Sequence, residues 1–296
     1  MSNPTLLVTG ASGHLGRRVL ELLLESQSGQ VMAVTRHPEK LADFAQRGVL
    51  VRQGDFDVPE NLIAAFTGAD RVLIISTDVV GESGRRLKQH VNAVQAAEKA
   101  GVSHVVYTSL TNPEAGTPVV LAPDHYGTEQ ALAQSSLGWT VLRNNIYADG
   151  LLFTLGQALK TGVLTSAAGD GKAAYVTRED CARAAAAALA SAFTGQRTLD
   201  ITGPVAYSQG ELAQIATQLT GTQVNYVPAT AETIIGYMVQ AGLPRSLAEA
   251  YVSFDVGIAQ GFFSRVSHDL AELTEHAPMS AAEFLAAHLE ALVSAN

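Results

Sequence analysis

Short apolar runs alternate with amphipathic stretches through the first half of the chain. Val, Ile and Leu dominate six runs: Thr5–Thr9, Val31–Thr35, Val49–Gln53, Arg71–Ser76, His104–Ser109 and Thr140–Leu142. They do not clearly alternate apolar with polar, which is the pattern of strands covered on both faces. Between them, helical stretches run over Leu15–Glu25, Pro38–Gln46, Pro59–Phe66, Gly84–Ala100 and His125–Ser135. This β-α repetition predicts an α/β fold built on a doubly wound parallel sheet.

The rhythm changes past Leu142. A helix is expected over Tyr147–Lys160 and a short strand over Val163–Ser166. Thr177 reads as the N-cap of a helix over Arg178–Ala192. Ser208 with Glu211, and Ser280 with Glu283, have the spacing of capping boxes. Gly242-Leu243-Pro244 reads as a turn between two helices. The expected organisation is a nucleotide-binding domain over 1–150 and a smaller, mainly helical substrate lobe over 151–296, with segments free to interleave. There is no Ser-, Pro- or charge-rich linker and no internal repeat.

Composition narrows the function classes. The 296 residues are 47% hydrophobic and 16% charged, which suits a large core and argues against disorder. With 19 basic and 28 acidic residues the net charge is −9, which does not favour nucleic acid. One cysteine, Cys181, excludes an intrachain disulfide and a paired-cysteine metal site. The eight histidines form no recognisable ligand pair, so no metal is expected. Ala184–Phe193, the richest apolar stretch, has about half the length a bilayer requires. The chain enters a strand at once without a signal-like leader, and cytoplasmic residence is the default expectation.

Chemistry enters at "TGASGHLG", Thr9–Gly16. A strand that ends in a glycine turn and opens a helix is an anion site. Glycines let the backbone approach a pyrophosphate, and the helix N-terminus supplies free N–H groups and a positive dipole end. Gly10, Ala11, Ser12, Gly13, His14, Leu15 and Gly16 are therefore cofactor-binding candidates. Gly10 makes the tight turn, Gly13 admits the phosphate, and Gly16 lets the helix pack on the sheet. An acidic residue about 20 positions on would bind a ribose 2′-hydroxyl and select NADH. Arg36 stands there instead. Its planar, charge-assisted donors suit a 2′-phosphate, so NADPH is expected over NADH. Other strand ends should line the same edge: Asp55 and Phe56 flanking the adenine, Ser76 and Thr77, then Thr108 and Ser109.

The catalytic apparatus of ordinary short-chain dehydrogenases is incomplete here. They pair a strand Ser with Tyr-x-x-x-Lys, whose Lys lowers the phenol pKa. This chain has Ser109, then Tyr126 followed four residues on by Gln130, which carries no charge. Acceptors such as quinones and cationic dyes need little acid help, so positioning and a dry pocket can suffice. His125 and Tyr126 are the candidate proton donors.

The stretches "TGASGHLG", "VTRHPEK", "VRQGDF", "YTSL", "DHYGTEQAL", "TVLRNNIY", "AAGDGKAAYVTRED" and "DVGIAQG" together resemble the NmrA-like atypical short-chain dehydrogenase/reductases. The resemblance runs from Thr5 to about Ala287. It implies a Rossmann-type fold and a flavin-free, NADPH-preferring reductase of quinones or quinone-like acceptors. Leu142-Arg143-Asn144-Asn145-Ile146-Tyr147 matches the family segment that lies beside the nicotinamide. Asn144 and Asn145 would hold the carboxamide, with Ile146 beside them and Tyr147 as a flat wall. Dyes, nitro or azo compounds and activated alkenes are alternative acceptors. The family also includes non-catalytic NADP(H)-binding redox sensors. The expected partner is a small apolar or aromatic electron acceptor, with no nucleic acid and no membrane; a homodimer is left open.

Overall fold

The computed structural model describes residues 3–294. Its first stretch runs β1 (Thr5–Val8), α1 (His14–Ser26), β2 (Gln30–Thr35), a 3-10 turn (Pro38–Leu41) entering α2 (Ala42–Gln46), and β3 (Leu50–Gln53). It continues with α3 (Pro59–Phe66), β4 (Arg71–Ile74), α4 (Arg85–Lys99), β5 (His104–Leu110), α5 (Ala122–Gln134) and β6 (Gly138–Asn144). Then come α6 (Gly150–Thr161), β7 (Val163–Ser166), β8 (Lys172–Ala173), α7 (Arg178–Ala190) and β9 (Gln196–Ile201). The last part holds β10 (Tyr207–Ser208), α8 (Gln209–Thr220), β11 (Asn225–Pro228), α9 (Ala231–Gln240), α10 (Arg245–Ala259), α11 (Asp269–Thr274), α12 (Ala281–Ala287) and α13 (Leu289–Ser294).

The main sheet has the order β3-β2-β1-β4-β5-β6-β9. The pairs from β3 through β5 are parallel, with Leu7 opposite both Met32 and Val72. All seven residues of β5 are buried, as a strand covered on both faces requires. This is the doubly wound α/β architecture that the repetition predicts. The reversal of strand order beside β1 creates the crevice in which such sheets bind ligands.

The chain forms two compact units that interleave along the sequence. One holds the residues up to Leu110, Asp124–Arg143 and Cys181–Leu199. Its core packs Leu7, Met32, Phe66, Val72, Ala97, Val105, Tyr107 and Leu132. A single boundary at residue 150 does not describe this unit, because most of α7 returns to it. Arg71 on β4, which is buried, ties the end of α7 to this unit. Its guanidinium donates to the carbonyls of Leu189 (Nε, 2.7 Å), Phe193 (Nη1, 2.9 Å) and Ala188 (Nη2, 3.2 Å). Those of Ala188 and Leu189 are end-of-helix carbonyls, which have no partner within a helix, and Phe193 lies just beyond it.

The second unit holds Thr111–Pro123, Asn144–Asp180 and the chain from Asp200 on. It is mainly helical, with a parallel pair β7–β11 and an antiparallel pair β8–β10. Ile234 and Ile235 of α9 pack against Ala248 and Val252 of α10. The turn between them places Gly242 at φ +94°, a conformation that favours glycine. Ser208 and Ser280 both close capping boxes with Glu211 and Glu283. The Thr177 hydroxyl accepts from the Asp180 N–H at 3.0 Å, as an N-cap does. The helix expected from Tyr147 starts three residues later, at Gly150. Tyr147 is held extended by a bridge to Val176, with Ala148 N–H donating to the Val176 carbonyl at 2.8 Å. Among the described residues, no helix is long and apolar enough to cross a membrane.

Candidate functional site

The carboxyl ends of β1 to β4 surround a cleft of about 320 Å³ in the first unit. Gly10, Ser12 and Gly13 form one wall, and Val34, Thr35 and Arg36 follow from β2. Gly54, Asp55 and Phe56 come from β3, Ile75 to Val79 from the segment after β4, and Gln89 from α4.

The backbone of the loop requires its glycines. Gly10 sits at φ +58°. A Cβ on Gly16 would stand 2.4 Å from the Gly10 carbonyl oxygen and 2.7 Å from the Ala11 Cα, so the loop folds against α1 only without one. Gly13 is the N-cap of α1. No side chain caps that helix, and its first turn carries no acidic residue. The free N–H groups and the positive dipole end are thus left for an anion. Ser12 Oγ lies 3.0 Å from Thr35 Oγ1, which also accepts from the His37 N–H at 3.2 Å. This ties the loop to the end of β2.

Arg36 is exposed at that end, and among the described residues no carboxylate pairs with it. Its neighbour Arg17 is committed elsewhere. It donates to the Lys40 carbonyl at 2.9 Å, pairs with Asp43 and stands over the Phe44 ring at 4.8 Å. Arg36 lines the cleft at this edge, and Lys40 is exposed four residues on.

Of the sequence candidates, Gly10, Ser12, Gly13, Arg36, Asp55, Phe56, Ser76 and Thr77 all line the cleft. Ala11 and Leu15 are buried beneath the loop and His14 is exposed at the start of α1. Ser109 is buried and donates to Glu129 Oε1 at 2.6 Å. Glu129 in turn takes two hydrogen bonds from Arg143, at 3.0 and 2.6 Å. In the second unit, Asn144 donates to the Tyr147 hydroxyl at 3.3 Å, and its buried Oδ1 has no protein partner. Ile146 is half-buried, and the Arg178 guanidinium lies 5.6 Å from the centre of the Tyr147 ring. Asn145, the other residue expected at the carboxamide, is buried and held by its own unit. Its Nδ2 donates to the Phe263 carbonyl at 3.0 Å and its Oδ1 accepts from the Ile146 N–H at 2.8 Å, so both ends of the amide hold the unit together.

The largest correction concerns α5. Tyr126 is 37% exposed, and Gln130 lines a groove between α4 and α5 with Leu87 and Val91. The buried stripe toward β5 is His125, Thr128, Glu129 and Leu132, spaced i, i+3, i+4 and i+7. The pair that faces β5 is therefore His125 and Glu129, not Tyr126 and Gln130.

His125 is also not a proton donor at neutral pH. Arg86 Nη2 lies 3.0 Å from its Nε2 and can only donate, so Nε2 is bare and Nδ1 carries the proton toward the Tyr107 hydroxyl at 2.9 Å. The same logic fixes His90. The Thr77 N–H donates to its Nε2 at 2.9 Å, so Nδ1–H points to Thr128 Oγ1 at 3.0 Å. Thr128 Oγ1 donates in turn to the Asp124 carbonyl at 2.7 Å. Burial first, then the Arg86 charge, pushes His90 down to about 3 and holds His125 well below the imidazole range. Both rings are neutral members of a fixed network. Through Thr77, that network braces the segment lining the cleft.

Beyond the strand residues Val34, Thr35 and Ile75, the sequence reading missed Gly54, Asp78, Val79 and Gln89 among the lining residues. The first three follow β3 and β4 and were open to the same strand-end logic. Gln89 lies on a helix far along the chain and carried no such signal. Among the described residues, no cluster of three or more His, Cys, Asp or Glu could hold a metal.

Comparison with known proteins agrees with this geometry. A family model described as NAD(P)H-binding matches residues 10–192. Quinone oxidoreductase 2 of Escherichia coli K12 is 36% identical over 94% of this chain and 96% of its own. The crystal structure of an Escherichia coli NADPH-dependent quinone oxidoreductase complexed with NADPH superposes with a TM-score of 0.90 at 35% identity, covering 96% of this chain and 99% of that one. The triphenylmethane reductase of Citrobacter sp. complexed with NADP(H) gives 0.87 at 33% identity, covering 95% and 99%. An open phosphate cradle on the first β-α turn, inside a chain that matches these reductases end to end, makes this protein an oxidoreductase of the NAD(P)H-binding family.

Proposed function

We propose that the cleft takes NADPH in preference to NADH, and that the enzyme reduces a quinone or quinone-like acceptor by direct hydride transfer, without a flavin. The observation that carries the cofactor choice is Arg36. It lines the cleft at the end of β2, no carboxylate occupies that tip, and nothing in the described chain neutralises it. When bound, the dihydronicotinamide would supply the hydride. The chain's part is to anchor the pyrophosphate at the α1 N-terminus, hold the 2′-phosphate at Arg36, and hold the segment after β4 in place through His90 and Arg86. The relatives named above, a quinone reductase and a dye reductase, support an aromatic acceptor whose reduced form is stable. Such an acceptor takes its proton from water, which agrees with the locked, neutral His125.

The test is NADPH oxidation with a panel of small quinones and one triphenylmethane dye, beside matched NADH controls. Turnover with quinones, faster with NADPH, is the expected result; turnover of the dye alone would move the acceptor to that class. Replacing Arg36 by Ala should raise the KM for NADPH by roughly 10- to 100-fold, the loss of a charge-assisted contact. The KM for NADH should change less than about threefold. Equal losses for both cofactors would remove the 2′-phosphate role.

A further inference from the structure

Gln89 is 3% exposed, lines the cleft from α4, and carries a side-chain oxygen without a hydrogen-bond partner. An unpaired buried acceptor costs stability unless a ligand satisfies it. The orientation of this amide follows from its neighbours. Its Nε2 lies 2.9 Å from Asp57 Oδ2. The same carboxylate receives Arg85 at 2.7 Å, and the Arg85 guanidinium holds it below the usual carboxylate range. An ionised carboxylate only accepts, so the amide nitrogen must face Asp57 and the oxygen must face away from it. The amide cannot flip without setting oxygen against oxygen.

The wall beside it is equally set. Asn92, one helical turn past Gln89, donates to the Phe56 carbonyl at 2.8 Å, and the Asp57 N–H donates to Asp55 Oδ1 at 3.0 Å. Asp55 and Phe56 line the cleft where the base of a dinucleotide is expected, and the segment 55–57 is thus pinned to α4 by Arg85, Gln89 and Asn92.

We propose that Gln89 is a specificity-determining residue for the base, its Oε1 accepting a hydrogen from the exocyclic amine of a 6-aminopurine. The assignment rests on the dinucleotide reading of the cleft and goes beyond it, because it selects adenine over a 6-oxopurine. Hypoxanthine places a carbonyl oxygen where adenine carries its amine. Two acceptors would then oppose each other, with the Gln89 amide nitrogen held at Asp57, and a site built for a donor rejects the analogue lacking it.

The experiment is equilibrium binding of NADPH and of its hypoxanthine analogue, deamino-NADPH, followed by nicotinamide fluorescence. The wild type should bind NADPH about tenfold more tightly than the analogue. In Gln89→Leu the ratio should fall to about two or less, mainly through weaker NADPH binding. Equal binding of the two nucleotides by the wild type would overturn the assignment without any variant. An unchanged ratio in a folded Gln89→Leu would overturn it by placing discrimination elsewhere. Failure of the wild type to bind either nucleotide would instead overturn the dinucleotide reading, and the base assignment with it.

Discussion

Acidification from pH 7 to about pH 4.5 is expected to destabilise this protein by several kcal/mol, before most carboxylates titrate. His90, His104 and His125 are all buried in the first unit. Burial, then the nearby arginines, pushes His90 down to about 3 and His104 to about 4, and His125 lies well below its usual value. In the unfolded chain each imidazole ionises near pH 6.5. Above that pH both states are neutral and the full stability is present. Below it the unfolded state binds protons that the folded state refuses, so stability falls with pH toward the depressed folded values. For His90 alone the loss is about 3 kcal/mol by pH 4.5, against a total of roughly 5–15 kcal/mol for a folded domain. Half-buried Asp255, whose carboxyl is raised by desolvation, acts in the opposite sense, since its folded form takes up a proton before the unfolded chain does. Urea unfolding at a series of pH values measures the slope. His90→Gln should be less stable at pH 8 yet lose part of the pH dependence between 6.5 and 4.5. A wild-type stability that is flat across that window would show that the imidazoles ionise in place.

Arg71→Leu is expected to cost roughly 3–5 kcal/mol, because it strips two end-of-helix carbonyls of α7 and the Phe193 carbonyl just beyond it of a charged donor at once. Burial lowers the Arg71 guanidinium to about 10, which still leaves it charged at any working pH. Leucine would replace the stem but none of the donors. Arg71→Lys, which presents a point charge in place of a planar fork, should fall between the two. Equilibrium unfolding of the three proteins at pH 8 measures this order. A loss under about 1 kcal/mol for the leucine variant would mean that water replaces the guanidinium, and that α7 stays with the sheet by apolar packing alone.

The cofactor side of the site was legible because each of its signals is local. Gly10 and Gly16 answer to backbone conformation and close approach within one turn of chain. Arg36 answers to its distance from the loop, which a β-α-β unit sets. Both capping boxes, and the strand Val163–Ser166, needed only neighbours three or four residues away.

The face of α5 was not legible in the same way. Tyr126 drew attention as a known type of catalytic residue, yet the helix is buried through His125, Thr128, Glu129 and Leu132. That stripe is largely polar, so hydrophobic periodicity could not mark it. Only Tyr107 and Ser109 of β5, 18 and 20 residues away, show that its polar members are satisfied inside. Asn145 likewise read as a ligand group, and only Phe263, 118 residues on, shows that its amide also holds the fold.

The sequence by itself determined the sheet, the phosphate-binding turn and the charge at the end of β2, because periodicity, glycine conformations and loop lengths act over a few residues. The tertiary structure alone decided the interleaving of the two units, the neutral state of His90 and His125, and the orientation of the Gln89 amide. Those depend on which donor or acceptor arrives from a distant segment: a buried polar group takes its role from its partner, and the partner is chosen by the fold.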